Sequence, residues 1–112
     1  MRNKKLSLIE RQALQKFMFL VKKDLGANLY KVLLYGSKAR GDSGPHSDVD
    51  VAVLVRKRTD AIWNKVMNAA FDVGLEFDVF VSPRVLPLEL MTAKAWRIMP
   101  FIRNLKKDGI AL

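Results

Sequence analysis

Apolar residues recur three and four positions apart from Leu14 through Phe17 and Val21 to Leu25, which predicts an amphipathic helix. Ser7 and Glu10, three apart at its start, form a capping box, and Gly26 supplies a stop. The apolar and aromatic run Leu29 to Tyr35, bounded by Gly36, predicts a first strand. From Val49 to Val55 the period changes to two. Valines 49, 51, 53 and 55 share one face, and Asp48, Asp50, Ala52 and Leu54 share the other. Beyond the two aspartates both faces are apolar, which predicts a central strand whose polar end lies at the border of the core. Thr59 and Asp60 then cap a helix with Ile62, Trp63, Val66, Ala70 and Val73 as its buried stripe. Gly74 is read as its end and Leu75 to Val81 as a third strand. The remainder reads as helix broken by Pro83, Pro87 and Pro100, with a last helix opening at Pro100 and stopping at Gly109.

This order of elements is an α+β plan: a short mixed β-sheet of at least three strands, with flanking helices largely on one face. Residues 1–112 are expected to form one domain, since the length suits a single core. A helix-sized connection between strands two and three is what a parallel crossover requires, and a compact polar link after strand one would make strands one and two antiparallel. On that topology Gly36, Ser37, Asp48, Asp50 and Asp78 converge on one end of the sheet.

Composition narrows the class. Half the residues are hydrophobic, yet no apolar stretch approaches the roughly 20 residues of a membrane span, and no signal-peptide core is visible. The chain has no cysteine, which excludes disulfides and thiolate zinc sites and suits a cytoplasmic location. Lys and Arg number 20 against 11 Asp and Glu, for a formal net charge of +9. That excess serves nucleic acid, nucleotide phosphates or an acidic partner equally well, and also simple solubility.

The candidate chemistry lies in "LLYGSKARGDSGPHSDVDVAVLV", residues 33–55. Carboxylates one residue apart on a strand project from one face, and with a third such as Asp78 nearby they cannot all ionise cheaply. A hard divalent cation relieves this, and oxygen-only ligation favours Mg²⁺ or Mn²⁺. Two ions about 3.5–4 Å apart would clamp a phosphoryl or nucleotidyl group for in-line transfer. Gly36 lets the backbone approach a phosphate, Ser37 adds a donor, and Lys38 and Arg40 add positive charge. Glu76, two residues before Asp78, is a rival for the third position. The lone His46 and Asp42 read as loop residues, Trp63 and Trp96 as core or interface, and Lys106-Lys107 as dipole-complementing residues of a last helical turn.

Gly36-Ser37, ten residues, then Asp48-Val49-Asp50 resembles the signature of the DNA polymerase beta-like nucleotidyltransferase superfamily. The wider "GSKARGDSGPHSDVDVAVLV" resembles its minimal nucleotidyltransferase (MNT) branch. The resemblance covers residues 29 to 81, and "PFIRNLKKDGIAL" is similar to the tail of those short proteins. It implies that Asp48 and Asp50 bind both metal ions, Asp78 binds the catalytic one, and Gly36 and Ser37 hold the nucleotide β/γ-phosphates. It further implies transfer of AMP from ATP to a hydroxyl of a protein partner, as the antitoxin of a HEPN/MNT pair. A catalytically silent antitoxin of the same fold, or a basic nucleic-acid binder using its termini, are the other functional classes. Leu86, Leu88, Met91 and Trp96 are candidates for a homo-oligomer contact.

Overall fold

Strands β1 (Leu29–Tyr35) and β2 (Val49–Val55) begin and end where the alternation places them, and they pair antiparallel with Tyr35 opposite Asp50 and Leu33 opposite Ala52. The computed structural model describes residues 6–41 and 48–112. A four-stranded sheet is built in the order β3-β2-β1-β4, where β3 is Val81–Pro87 and β4 is Ile110–Ala111. β2 and β3 run parallel, with Val49 opposite Val81 and Asp50 opposite Ser82. The antiparallel and parallel pairings are therefore those expected, and a fourth strand is added at the far edge.

The two faces of β2 differ as its period dictates. Val49, Val51, Val53 and Val55 are fully buried in the main core, against α1 (Leu8–Leu25) and α3 (Asp60–Phe77). Each such side chain contributes about 1.5–3 kcal/mol by leaving water. Both helices start where their caps predict. Ser7 Oγ accepts from the Glu10 amide while Glu10 Oε1 accepts from the Ser7 amide, and Thr59 accepts from the Ile62 amide. On the opposite face Leu33, Ala52, Leu54 and Leu105 form a smaller cluster beneath α5 (Pro100–Asp108), which opens at Pro100 and ends at Gly109 as expected. Among the described residues no helix is long and apolar enough to cross a membrane.

Several expectations are corrected. The helix α3 does not stop at Gly74 but runs to Phe77, and the third strand is Val81–Pro87 rather than Leu75 to Val81. Ala70, Val73 and Phe77 continue the helical stripe, so the apparent alternation after Gly74 is a helix whose solvent side carries Leu75. Pro83 and Pro87 accordingly sit in a strand and break no helix, while α4 spans Ala93–Ile98. Leu86 and Met91 are partly buried and pack against the smaller cluster. Trp63 leans out of its stripe and is 40% exposed. Asp42, His46 and the Trp96 side chain lie outside the described residues.

Candidate active site

Gly36 ends β1 with φ 75° and ψ −156°, a conformation essentially restricted to glycine. A Cβ at this position would lie 2.6 Å from Oδ2 of Asp50. The backbone of the glycine-serine turn is thus pressed against the carboxylate that β2 presents opposite Tyr35. Ser37 opens a single helical turn, α2 (Ser37–Arg40), closed by Gly41 in the left-handed conformation. The first amides of such a turn have no intrahelical partner.

Asp48 is exposed and Asp50 half-buried. Loss of water raises the Asp50 pKa above the usual carboxylate value, the neighbouring Asp48 charge raises it further, and Arg40 opposes both. Two coupled carboxylates, partly desolvated and with only oxygen donors, are the arrangement that a hard divalent cation stabilises. Asp48 and Asp50 fit that role. Tyr35 is also shifted upward, first by burial and then by Asp50, with Arg84 acting in the opposite sense.

Gly36, Ser37, Arg40, Asp48 and Asp50 therefore share one site. Lys38 and Asp78 stand apart from it. Lys38 is 3% exposed, and its Nζ lies 2.6 Å from Glu10 Oε2. It ties α2 to the start of α1. Asp78 is not seated in a strand. It caps α3 in the left-handed conformation (φ 54°), exposed, with its amide donating to the Gly74 carbonyl. Among the described residues no group of three acidic, histidine or cysteine side chains gathers for a metal ion. Glu76 lies on α3, 3.9 Å from Lys16, and is no rival on a strand.

Sequence reasoning also missed residues. Tyr35, Ser82 and Arg84 lie on the Asp50 face, and Phe101 from α5 packs beside them. Their signal is the strand register, which is readable only with β3 at Val81–Pro87 and not at Leu75 to Val81.

A family model described as "Nucleotidyltransferase domain" matches residues 11–110. The chain belongs to that family and is an MNT-type nucleotidyltransferase. It is 35% identical over 77 residues to "Putative protein adenylyltransferase MJ0141" of Methanocaldococcus jannaschii, covering 64% of this chain and 78% of the relative. A second relative from that organism, "Putative protein adenylyltransferase MJ0604", is 28% identical over 104 residues, covering 92% and 97%. Among solved structures, a toxin-antitoxin with AMP-PNP aligns over 85% of this chain and 68% of its own, at TM-score 0.55 and 19% identity. A mutant of the toxin-antitoxin MntA-HpeT aligns over 88% and 70%, at TM-score 0.53 and 20% identity. These likenesses establish the mixed-sheet fold.

Proposed function

We propose that this nucleotidyltransferase moves AMP from ATP onto a hydroxyl of a protein partner, and that the partner is the small all-helical HEPN protein of a HEPN/MNT toxin-antitoxin pair. The observation that carries the reading is the close approach of the Gly36 backbone to Asp50, which suits a turn that accommodates phosphate beside a carboxylate that holds a cation. The names of the two archaeal relatives support the acceptor class, and the toxin-antitoxin neighbours support the pairing. ATP and a cysteine-free chain are both at home in the cytoplasm.

In this reading the β/γ-phosphates lie on the Gly36-Ser37 turn beside Arg40. Asp48 and Asp50 hold Mg²⁺, for which Mn²⁺ can substitute, and a bound ion of this kind supplies charge stabilisation and alignment for in-line transfer. The acceptor oxygen bonds to the α-phosphorus as the bond from that phosphorus to the β-bridging oxygen breaks. Pyrophosphate leaves with the electron pair. The hydroxyl proton passes to water, and we assign its relay to Asp78, at the same end of the sheet.

The test is transfer of an α-phosphate label from ATP to candidate HEPN protein, with parent chain and with Asp48→Asn/Asp50→Asn. Labelling of the partner by the parent alone supports the reading, and its absence with ATP, GTP, CTP and UTP sinks it. A second reading, a silent antitoxin that acts by binding, is favoured by the separation of Asp78 from the aspartate pair. It expects the double variant to neutralise the partner as well as the parent does.

A further inference from the structure

The sheet face that carries Asp50 holds a second polar assembly, one row further in. Tyr35, Asp50 and Ser82 form one row across β1, β2 and β3, and Leu33, Ala52 and Arg84 form the next. Arg84 starts on the edge strand, yet its Cζ lies 4.3 Å from the centroid of the Phe101 ring. That ring meets Tyr35 edge-on, with centroids 5.4 Å apart at 84°. Arg84 and Tyr35 therefore approach each other across β2, above Ala52, whose methyl leaves the space free. Phe101 caps them. Arg84 is exposed, and among the described residues its guanidinium makes no ion pair with a carboxylate. Its charge is felt at the Tyr35 hydroxyl, as is that of Asp50.

A purely structural Arg would cover Phe101 and bond to the Tyr35 hydroxyl, and would leave the outer side of its guanidinium to solvent. The placement argues for a further use. Arg40 stands on the glycine-serine side of Asp50, and Arg84 stands on the β3 side. A nucleotide whose terminal phosphates lie by Gly36 and Ser37, and whose phosphate chain crosses Asp50 toward β3, brings its α-phosphate to Arg84. We infer that Arg84 is a substrate-contacting residue, its planar fork held by Phe101 and Tyr35 against the non-bridging oxygens of the α-phosphate. It would bind those oxygens while the acceptor oxygen bonds to phosphorus and the bond to the β-bridging oxygen breaks. Guanidinium geometry suits two parallel bonds to such oxygens, which an ammonium does not reproduce. This inference rests on the nucleotide site proposed above.

The experiment is calorimetric titration of the full chain with ATP, AMP and pyrophosphate in Mg²⁺, comparing the parent with Arg84→Met, Arg84→Lys and Arg40→Met. Thermal unfolding of each variant accompanies it. Arg84→Met is expected to weaken ATP and AMP alike, each by about tenfold, and to leave pyrophosphate unchanged. Arg40→Met is expected to weaken ATP and pyrophosphate and to spare AMP. Arg84→Lys should keep part of the affinity, and it carries the test if the methionine variant does not fold. Parent-like binding of ATP and AMP by the Arg84 variants would overturn the inference and leave the nucleotide site standing. A parent chain that binds none of the three probes would overturn both.

Discussion

The Gly36 conformation and its contact with Asp50 concentrate the site's geometry in one position. Gly36→Ala places a methyl group 2.6 Å from Asp50 Oδ2, in a backbone region that other residues scarcely enter. The expected result is a loss of about 1–3 kcal/mol in stability, measured by urea unfolding, together with ATP affinity too weak to titrate. Asp50→Asn leaves the turn in place, so it should unfold at the parent's urea concentration or above, because it removes a carboxylate repelled by Asp48. Its labelled transfer should nevertheless fall on the order of a thousandfold. Asp78, exposed and apart from that pair, should matter less. If it relays a proton through water, Asp78→Asn costs about 100-fold in single-turnover rate, the low end for a general base, with ATP affinity retained. A loss equal to that of Asp50→Asn would instead place Asp78 directly at the reacting group.

At the scale of elements, the turn is held by an ion pair that the motif does not advertise. Glu10 belongs to the capping box of α1 and also receives Lys38 from α2, so one carboxylate joins two elements. Burial pushes its pKa up, but bonds from Lys38 and the Ser7 amide outweigh this and leave it below its ordinary 4.5. A depressed carboxylate contributes stability above its unfolded pKa and loses it as pH falls through the folded value. Stability of the parent should therefore drop faster below pH 4.5 than that of Glu10→Gln, which starts less stable at pH 7. Lys38→Met leaves Glu10 buried without its cation and should cost about 3–5 kcal/mol at neutral pH, read by denaturant midpoint.

The same helical turn explains what the sequence hid. Lys38 and Arg40 are two residues apart and, in a helix, point about 200° apart, so both cannot face one phosphate. In the linear motif they look equivalent. Asp78 was obscured in the same way. A glycine usually marks the left-handed residue that ends a helix, yet here Asp78 takes that conformation and Gly74 lies inside α3. Helix and strand are hard to distinguish over a short apolar run such as Leu75 to Val81. By contrast β2, with seven residues of clear alternation and aspartates at one end, was legible to the residue.

For the whole molecule, the sheet must end without inviting another sheet, and its two edges do so differently. β4 is only two residues long and offers little ladder. β3 is seven residues long and is protected by its sequence. The Phe80 carbonyl accepts from the Val49 amide, so even-numbered positions of β3 turn toward β2 and odd-numbered ones toward the outer edge. Pro83 and Pro87 are odd, and the N–H that each lacks is one that an incoming strand would need. The outward carbonyl of Val85 is occupied too, by Nε of Arg58 at 3.2 Å. Prolines that looked like helix breakers in the sequence are edge guards in the fold. Exposed Phe71, Leu75 and Phe80 lie beside this edge, so an open ladder there would adjoin apolar surface. Pro83→Val/Pro87→Val restores two outward donors without removing a bond to β2. The variant is expected to match the parent in unfolding midpoint within about 1 kcal/mol. Its light-scattering mass should rise with concentration more steeply than the parent's, and adding Arg58→Ala should steepen it again. An unchanged mass across all three proteins would mean that the prolines serve the turn into the following helix and not the edge.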